Sequence, residues 1–208
     1  MYRGGVSEVE EVKYIPSLES NTLENIDELV MFARERRGVI GLSFSLLLVK
    51  ALAGVLAEQK RTYKNQEGAN SGVAPYVRHK SRERLLYKEL GIWCYLSYAQ
   101  GASLPFLLQA ELCLRRVCDI YGKDVETAKY LAFVLWSKWQ IHKAQPGDMK
   151  RCFALLSACS QADALSISQL EVVWFRLGYL YQVGVGCTKD KIKALYCYQQ
   201  ARNLGLDC

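Results

Sequence analysis

Residues 170–205 carry the pattern that decides the fold, and they read LEVVWFRLGYLYQVGVGCTKDKIKALYCYQQARNLG. Two apolar runs at helical spacing flank a short Gly-rich segment, so the stretch predicts two helices joined by a tight link. We expect Gly184 and Gly186 to adopt positive φ in that link, because glycine does so at no steric cost. Asp190 stands where the second helix needs an N-cap acceptor, and Gly205 stands where that helix ends.

Small and aromatic side chains predict how the two helices pack. Gly178 lets the second helix approach closely, and Ala194 and Ala201, seven residues apart, place small side chains on one helix face. Tyr181 and Tyr198 are expected to fill the space between successive helix pairs. The residues that define the hairpin are Leu177, Gly178, Tyr181, Gly184, Gly186, Asp190, Ala194, Tyr198, Ala201 and Gly205.

The same spacing recurs upstream in a weaker form, which predicts an internal repeat. The second helices repeat every 42 residues at two positions, Ala110, Cys152 and Ala194, and Val117, Cys159 and Ala201. On the first helices, Leu90, Leu131 and Leu177 are separated by 41 and 46 residues. We therefore expect the middle unit to contain extra residues around 139–147.

The 170–205 pattern resembles the Sel1-like repeat, a variant of the tetratricopeptide helix hairpin, and the defining residues above fall at its spacing. The resemblance implies a scaffold or adaptor for protein–protein interaction. In bacteria such proteins are often linked to secretion systems, as a component or chaperone-adaptor, and to virulence. The upstream units lack the double-glycine link and most of the tyrosines, so they resemble the family only in a degenerate form.

The predicted fold is all-α, with antiparallel helix hairpins stacked as a short TPR/Sel1-like α-solenoid; a compact irregular helical bundle is the alternative. Eight helices in four pairs are expected. We predict an irregular acidic arm over 1–20, an N-terminal helix pair over 21–63, a basic loop or linker over 64–80, and three Sel1/TPR-like pairs over 81–208.

The formal net charge of +6 is concentrated in one segment. Between positions 60 and 88, eight basic residues stand against Glu67 and Glu83, which accounts for the whole net charge of the 208-residue chain. A solvated surface, a docking site for an acidic partner protein or peptide, nucleic acid and an anionic membrane surface are the alternatives; the absence of a nucleic-acid motif disfavours nucleic acid. The candidate docking residues are Lys60, Arg61, Lys64, Arg78, Lys80, Arg82, Arg84 and Lys88.

The eight cysteines all lie beyond residue 93. They form no Cys-x-x-Cys and have no histidine at metal-ligand spacing, so neither a metal site nor a cofactor is predicted. Most stand in apolar helical patterns, where a thiol packs as a small hydrophobe. The N-terminal segment lacks the pattern of a secretory signal. We therefore expect a cytoplasmic protein, with association to a membrane-bound complex left open.

Residues 39–57 form 19 mostly apolar positions, near the length that spans a bilayer. Lys50 opposes insertion, because a central lysine costs about 2.5 to 3.5 kcal/mol. Ser43, Lys50 and Gly54 also share one helical stripe, which is typical of a buried helix with a narrow polar edge. A membrane-associated protein that inserts this segment is therefore the first alternative function.

Catalytic signals are weak in this chain. His79 and His142 are the two histidines, and nothing in the sequence joins either to a cysteine and an orienting acid. An enzyme with a Cys/His site is thus the second alternative, and the predicted catalytic set is empty. We expect the tryptophans mainly in the core, with at most one of Trp136 and Trp139 facing outward to contact a partner.

The leading hypothesis is a protein–protein interaction adaptor that holds an acidic partner. The final helix carries Leu195, Tyr196, Cys197, Tyr198 and Leu204. These residues predict an apolar edge on the terminal repeat, which needs a covering element. We expect a hetero-complex or a homo-oligomer through this edge.

Overall fold

The computed structural model describes residues 23–35, 41–66, 73–122 and 124–205, with side chains over 27–35, 41–62, 80–122 and 124–205. Within these ranges the regular structure is eight α-helices and no strand, which confirms the predicted all-α class of stacked helices. The predicted arm over 1–20 lies outside the described residues. The helices are α1 Leu23–Glu35, α2 Leu42–Gln66, α3 Val73–Ala99, α4 Leu104–Ile120, α5 Val125–Gln140, α6 Asp148–Ser160, α7 Ile167–Val183 and α8 Lys191–Asn203.

The predicted linker over 64–80 is largely helical instead. α2 continues to Gln66 and α3 already begins at Val73. The cluster of polar, Gly and Pro residues suggested a loop, but Pro75 occupies the first turn of α3, where proline displaces no intrahelical hydrogen bond. The chain also divides into two compact units between Cys113 and Leu114, within α4, and not at residue 80.

In the first unit, α2 and α3 pack antiparallel along their length. Ser97 Oγ donates to Ser45 Oγ over 3.0 Å at one end, and the Lys60 ammonium lies 5.0 Å from the Tyr87 ring centroid at the other. The N-terminal pair was expected to be α1 with α2, but α1 contacts both α2 and α3. Its short apolar face, Leu29, Val30 and Ala33, is buried in this three-helix arrangement.

Two ion pairs join α1 to α3. Asp27 Oδ2 lies 3.2 Å from Arg82 Nη2, and Glu89 Oε1 lies 2.9 Å from Arg34 Nε. Both pairs advance by seven residues in the same direction along the two helices, so α1 and α3 run parallel. Glu89 is fully buried, and the Arg34 contact supplies the opposite charge that a buried carboxylate requires.

The long apolar helix α2 is partly buried in protein. Over Leu42–Thr62 it is long and apolar enough to cross a membrane, with a mean hydropathy of 1.5, and 39% of that window is buried. The predicted polar stripe of Ser43, Lys50 and Gly54 is exposed, while Phe44, Leu48 and Leu52 on the other side are buried. A core helix of a water-soluble protein has the same composition, so this helix is weak evidence for insertion.

In the second unit, each of α5, α6 and α7 packs on the helix that follows it. A buried ion cluster ties the first part of this unit together. Asp148, the first residue of α6, contacts Arg115 from α4, and one of its oxygens accepts from Lys138 Nζ of α5 at 3.1 Å. The backbone N–H of Gln145 also donates to this carboxylate over 2.7 Å. Three helices therefore converge on one carboxylate.

The α5–α6 and α7–α8 hairpins share one register. Their links, 141–147 and 184–190, have the same length, so the expected extra residues around 139–147 are not an insertion between the helices. Leu135 lies 42 positions before Leu177 and is its equivalent, whereas the predicted equivalent, Leu131, is one helical turn away. Residues four apart share a helix face, and for this reason the apolar pattern alone could not separate the two registers.

Candidate interaction surface

The α7–α8 hairpin is held by close backbone approaches at its glycines. A Cβ on Gly178 would stand 2.8 Å from the Tyr198 ring, so the missing side chain makes room for that ring. Gly184 and Gly186 have φ of 81° and 76°, in the left-handed region. A Cβ on Gly186 would collide with the Met149 carbonyl oxygen, so the α7–α8 link lies directly on the start of α6.

Specific residues define the N-cap, the buried face and the end of α8. Asp190 Oδ1 accepts from the backbone N–H groups of Ile192 and Lys193, both at 3.0 Å. These hydrogen bonds hold the pKa of Asp190 below its usual range, with the Lys193 amide as the largest cause. Ala194 and Ala201 are buried, and α8 ends two residues before Gly205, whose φ is 120°.

The two tyrosines of the hairpin have different roles from each other. Tyr181 packs edge-on against Phe153 of α6 with ring centroids 5.2 Å apart, so it lies between successive hairpins as expected. Tyr198 instead packs within its own hairpin, 5.7 Å from the Phe175 ring, and its hydroxyl donates to Gln182 over 2.6 Å. The prediction that Tyr198 fills the space between pairs was wrong, because the gap left by Gly178 draws its ring inward.

An aromatic pocket lies between α5 and α7, the first helices of the two hairpins. It is a cavity of about 500 Å³, and it is open to solvent. The rings of Trp136, Trp139 and Tyr179 form a mutual cluster with centroid separations of 5.4 to 5.8 Å. The residues that line the pocket are Trp136, Trp139, Gln140, His142, Phe175 and Tyr179.

The exposure of the tryptophans decides which of them a partner can touch. Trp93 and Trp136 are buried, while Trp139 and Trp174 are partly exposed. Of the Trp136 and Trp139 pair, only Trp139 therefore presents a sizeable surface outward. The pocket itself was missed from sequence, although aromatic residues four apart at Phe175 and Tyr179 could have indicated it.

A positive charge lies beside the pocket wall. The Arg176 guanidinium stacks over Phe133 at 4.0 Å and lies 5.3 Å from the Trp136 ring centroid. Its Nη1 is buried and makes no hydrogen bond within the described part of the chain. The guanidinium thus places a positive charge next to the pocket, which favours a negatively charged group nearby.

His142 has the strained backbone of the site. Its φ is 57°, and it is the one non-glycine residue with positive φ in the described ranges. It stands 42 positions before Gly184 and occupies the same left-handed position after the first helix. Histidine is enriched at such positions, but a side chain there still carries a conformational cost.

The predicted basic segment is partly engaged in holding the first unit together. Arg82 pairs with Asp27, Arg61 Nη1 lies 3.5 Å from Glu58, and Lys60 covers Tyr87. Lys80 is exposed and Arg84 and Lys88 are partly buried, and all three make further interactions. The side chains of Lys64 and Arg78 lie outside the described residues, and so does that of His79. The segment as a docking site stays a prediction.

The cysteines in the described ranges are thiols, and all of them except Cys187 are buried. Burial raises the pKa of Cys152 to about 12 and the pKa values of Cys159 and Cys197 to about 11. Burial likewise raises the pKa of Cys94. A thiolate nucleophile needs the opposite shift, so these residues act in packing. Among the described residues, no group of three or more His, Cys, Asp or Glu side chains could hold a metal ion.

The fold and the hairpin geometry define a helical-hairpin repeat protein. The Sel1 repeat model matches residues 175–206, which include the second half of α7, the glycine link and α8. This repeat indicates a protein–protein interaction module. No match was found among the curated proteins or among the solved structures.

Proposed function

We propose that this protein is an interaction adaptor whose aromatic pocket binds a segment of a partner protein. The observation that carries the proposal is the open cavity between the first helices of two consecutive hairpins, lined by four aromatic rings. Aromatic side chains contribute most of the binding energy at many protein interfaces. The pocket contains no carboxylate among its lining residues, which favours an apolar side chain as the occupant.

The proposed partner segment is acidic next to its apolar anchor. The Arg176 guanidinium stands behind Trp136 and places a positive charge beside the pocket, and Lys143 is exposed beside His142. Charges of one sign around an apolar pocket select oppositely charged neighbours of the anchor and speed association. The resemblance adds a bacterial secretion-system setting, and the buried thiols agree with a reducing, cytoplasmic one.

Panning a random peptide library on the immobilised full chain tests this function. We expect enriched peptides to combine a Trp, Phe or Leu anchor with neighbouring Asp or Glu. Trp139→Ala should weaken the best peptide by about tenfold or more, measured by fluorescence anisotropy. Replacing the peptide's acids by Lys should weaken it as well.

A matched control is Ile167→Ala, since Ile167 is 66% exposed at the start of α7 and does not line the pocket. Its affinity for the peptide should equal that of the wild type. No enrichment of apolar anchors, or equal losses in both variants, would contradict the proposal. Thermal unfolding of each variant checks that the fold is retained.

A further inference from the structure

The outer side of α8 exposes large apolar side chains. Ile192 is 83% exposed, Leu195 is 60% exposed and Tyr196 is 53% exposed. Three such residues on one turn and a half of helix exceed the scattered exposure that is normal at a surface. Lys191 and Arg202 are also exposed and frame this surface at the two ends of the helix.

The preceding hairpin shows what packs over the Leu195 position, whereas the equivalents of Ile192 and Tyr196, which are Lys150 and Ala154, are exposed on α6. The burial pattern repeats at 42 residues, since Cys152, Leu155 and Cys159 of α6 and Ala194, Cys197 and Ala201 of α8 are all buried. Phe153 of α6, the equivalent of Leu195, is covered by the Tyr181 ring of α7 at 5.2 Å. The element that fits over Leu195 is therefore a helix placed as α7 is placed on α6.

The charge of this face differs from that of α6. On α6 the equivalent stripe runs through the buried Met149 and the partly buried Phe153 and Ser160, none of which is charged. The equivalent stripe on α8 runs through Lys191, Leu195 and Arg202, with a cation at each end. α8 contains no acidic residue at all, and Asp190 before it is already engaged as the N-cap. A covering helix must therefore bring its own carboxylates.

A second copy of the chain that packs through its own α8 does not meet this requirement. Two α8 helices packed antiparallel about a two-fold axis would place Lys191 of one against Arg202 of the other, and like charges across an interface are unfavourable. We infer that the outer face of α8 binds an amphipathic helix of a partner protein, with an apolar stripe over Leu195 and acidic residues facing Lys191 and Arg202. This inference stands on α8 alone and does not depend on the aromatic pocket.

The test uses a pair of stapled, fluorescein-labelled helical peptides based on the sequence of α7. Stapling is needed because isolated helices of this length are marginal in water. One peptide carries Glu at the positions that face Lys191 and Arg202, and its twin carries Lys there. Binding to the full-length chain is followed by fluorescence anisotropy at low salt and at physiological salt.

We expect the Glu peptide to bind and the Lys twin to bind at least about tenfold more weakly. Leu195→Ser should reduce binding of the Glu peptide by about tenfold or more, whereas Ile120→Ser, at an exposed apolar residue of α4, should leave it unchanged. The double variant Lys191→Glu/Arg202→Glu should reverse the preference toward the Lys peptide. A merely structural role for these residues cannot produce that reversal.

Three results would overturn the inference. The first is binding of neither peptide, or equal binding of both. The second is binding that Leu195→Ser does not change. The third is a concentration-dependent dimer in sedimentation velocity that Leu195→Ser abolishes, because a second copy would then cover the face. Failure here leaves the pocket experiment untouched, since that experiment depends on Trp139 and not on α8.

Discussion

The α5–α6 and α7–α8 hairpins have equal links and a common register, yet only the second is recognisable as a Sel1 repeat. Where α7–α8 turns at Gly184, α5–α6 turns at His142, and both residues have positive φ. α8 begins with a partly exposed cap at Asp190, whereas α6 begins with the buried Asp148 cluster. The two hairpins therefore share link length and a left-handed turn, although only α7–α8 carries the residues that identify the Sel1 repeat.

The largest expected effect comes from Asp148, which stands 42 positions before Asp190 but forms buried ion pairs with Lys138 and Arg115 and does not cap its own helix. Asp148→Asn leaves Lys138, 4% exposed, without its counter-charge. Removing one partner of a buried ion pair costs about 3–5 kcal/mol. Urea unfolding should show a loss of this size, and Asp190→Asn should lower the free energy of unfolding much less. Similar losses for both would show that the two hairpins start their second helices in equivalent ways.

Gly186→Ala should give the next largest effect. The φ of 76° costs an L-residue about 1–2 kcal/mol, and the Cβ would also collide with the Met149 carbonyl. We expect a total loss of about 3 kcal/mol in the free energy of unfolding, within the upper range for single substitutions.

Gly147→Ala is the matched control for Gly186→Ala. Gly147 has a similar φ of 88°, but a Cβ there would meet nothing within 4 Å. Gly147→Ala should lower the free energy of unfolding by about 1–2 kcal/mol only, which is the cost of positive φ for an L-residue. The difference between the two losses in free energy of unfolding measures the cost of the collision between the α7–α8 link and α6. Equal losses would show that the backbone around Met149 moves to accommodate the added Cβ.

The pH dependence of stability should report the ion pairs of Asp148. Burial would raise the pKa of Asp148, but the Gln145 N–H, Lys138 and Arg115 outweigh it and hold the pKa below its usual range. A carboxyl with a lowered folded-state pKa stabilises the protein fully above its unfolded value of about 3.9. That contribution is lost as the pH falls through the folded-state pKa.

The measurement is the difference in free energy of unfolding between the wild type and Asp148→Asn across the acid range. The difference should be constant at neutral pH and should shrink below about pH 4. Taking the difference removes the titration of all other carboxylates. A difference that stays constant in acid would mean that Asp148 has an ordinary pKa.

The smallest expected effect is that of His142→Gly. Glycine relieves the cost of positive φ, about 1–2 kcal/mol, but loses about 0.5–1 kcal/mol through the unfolded state. The net change should be a gain of about 1 kcal/mol or less in the free energy of unfolding. Because His142 lines the pocket, the same variant should bind the selected peptides more weakly. Stabilisation without any loss of binding would remove His142 from the site.

Sequence reasoning succeeded where a contact is local. Gly184, Gly186 and Asp190 are close in the chain, and each has a conformation or cap that its own residue type favours. It failed at Tyr198, whose position depends on space left by Gly178 twenty residues earlier. The pocket depends on α5 meeting α7, and no single segment carries that information. The linker prediction was wrong partly because Pro75 is compatible both with a loop and with the first turn of a helix, so proline does not distinguish the two.

The two ion pairs between α1 and α3 have opposite polarity, with Asp27 facing Arg82 and Arg34 facing Glu89. A slide of α1 along α3 by two turns would keep the apolar face of α1 on the side that is now buried. Asp27 would then meet Glu89, or Arg34 would meet Arg82, depending on the direction of the slide. The two ion pairs therefore fix the register of α1 on α3. They stabilise one alignment, and like charges destabilise the alignment shifted by two turns.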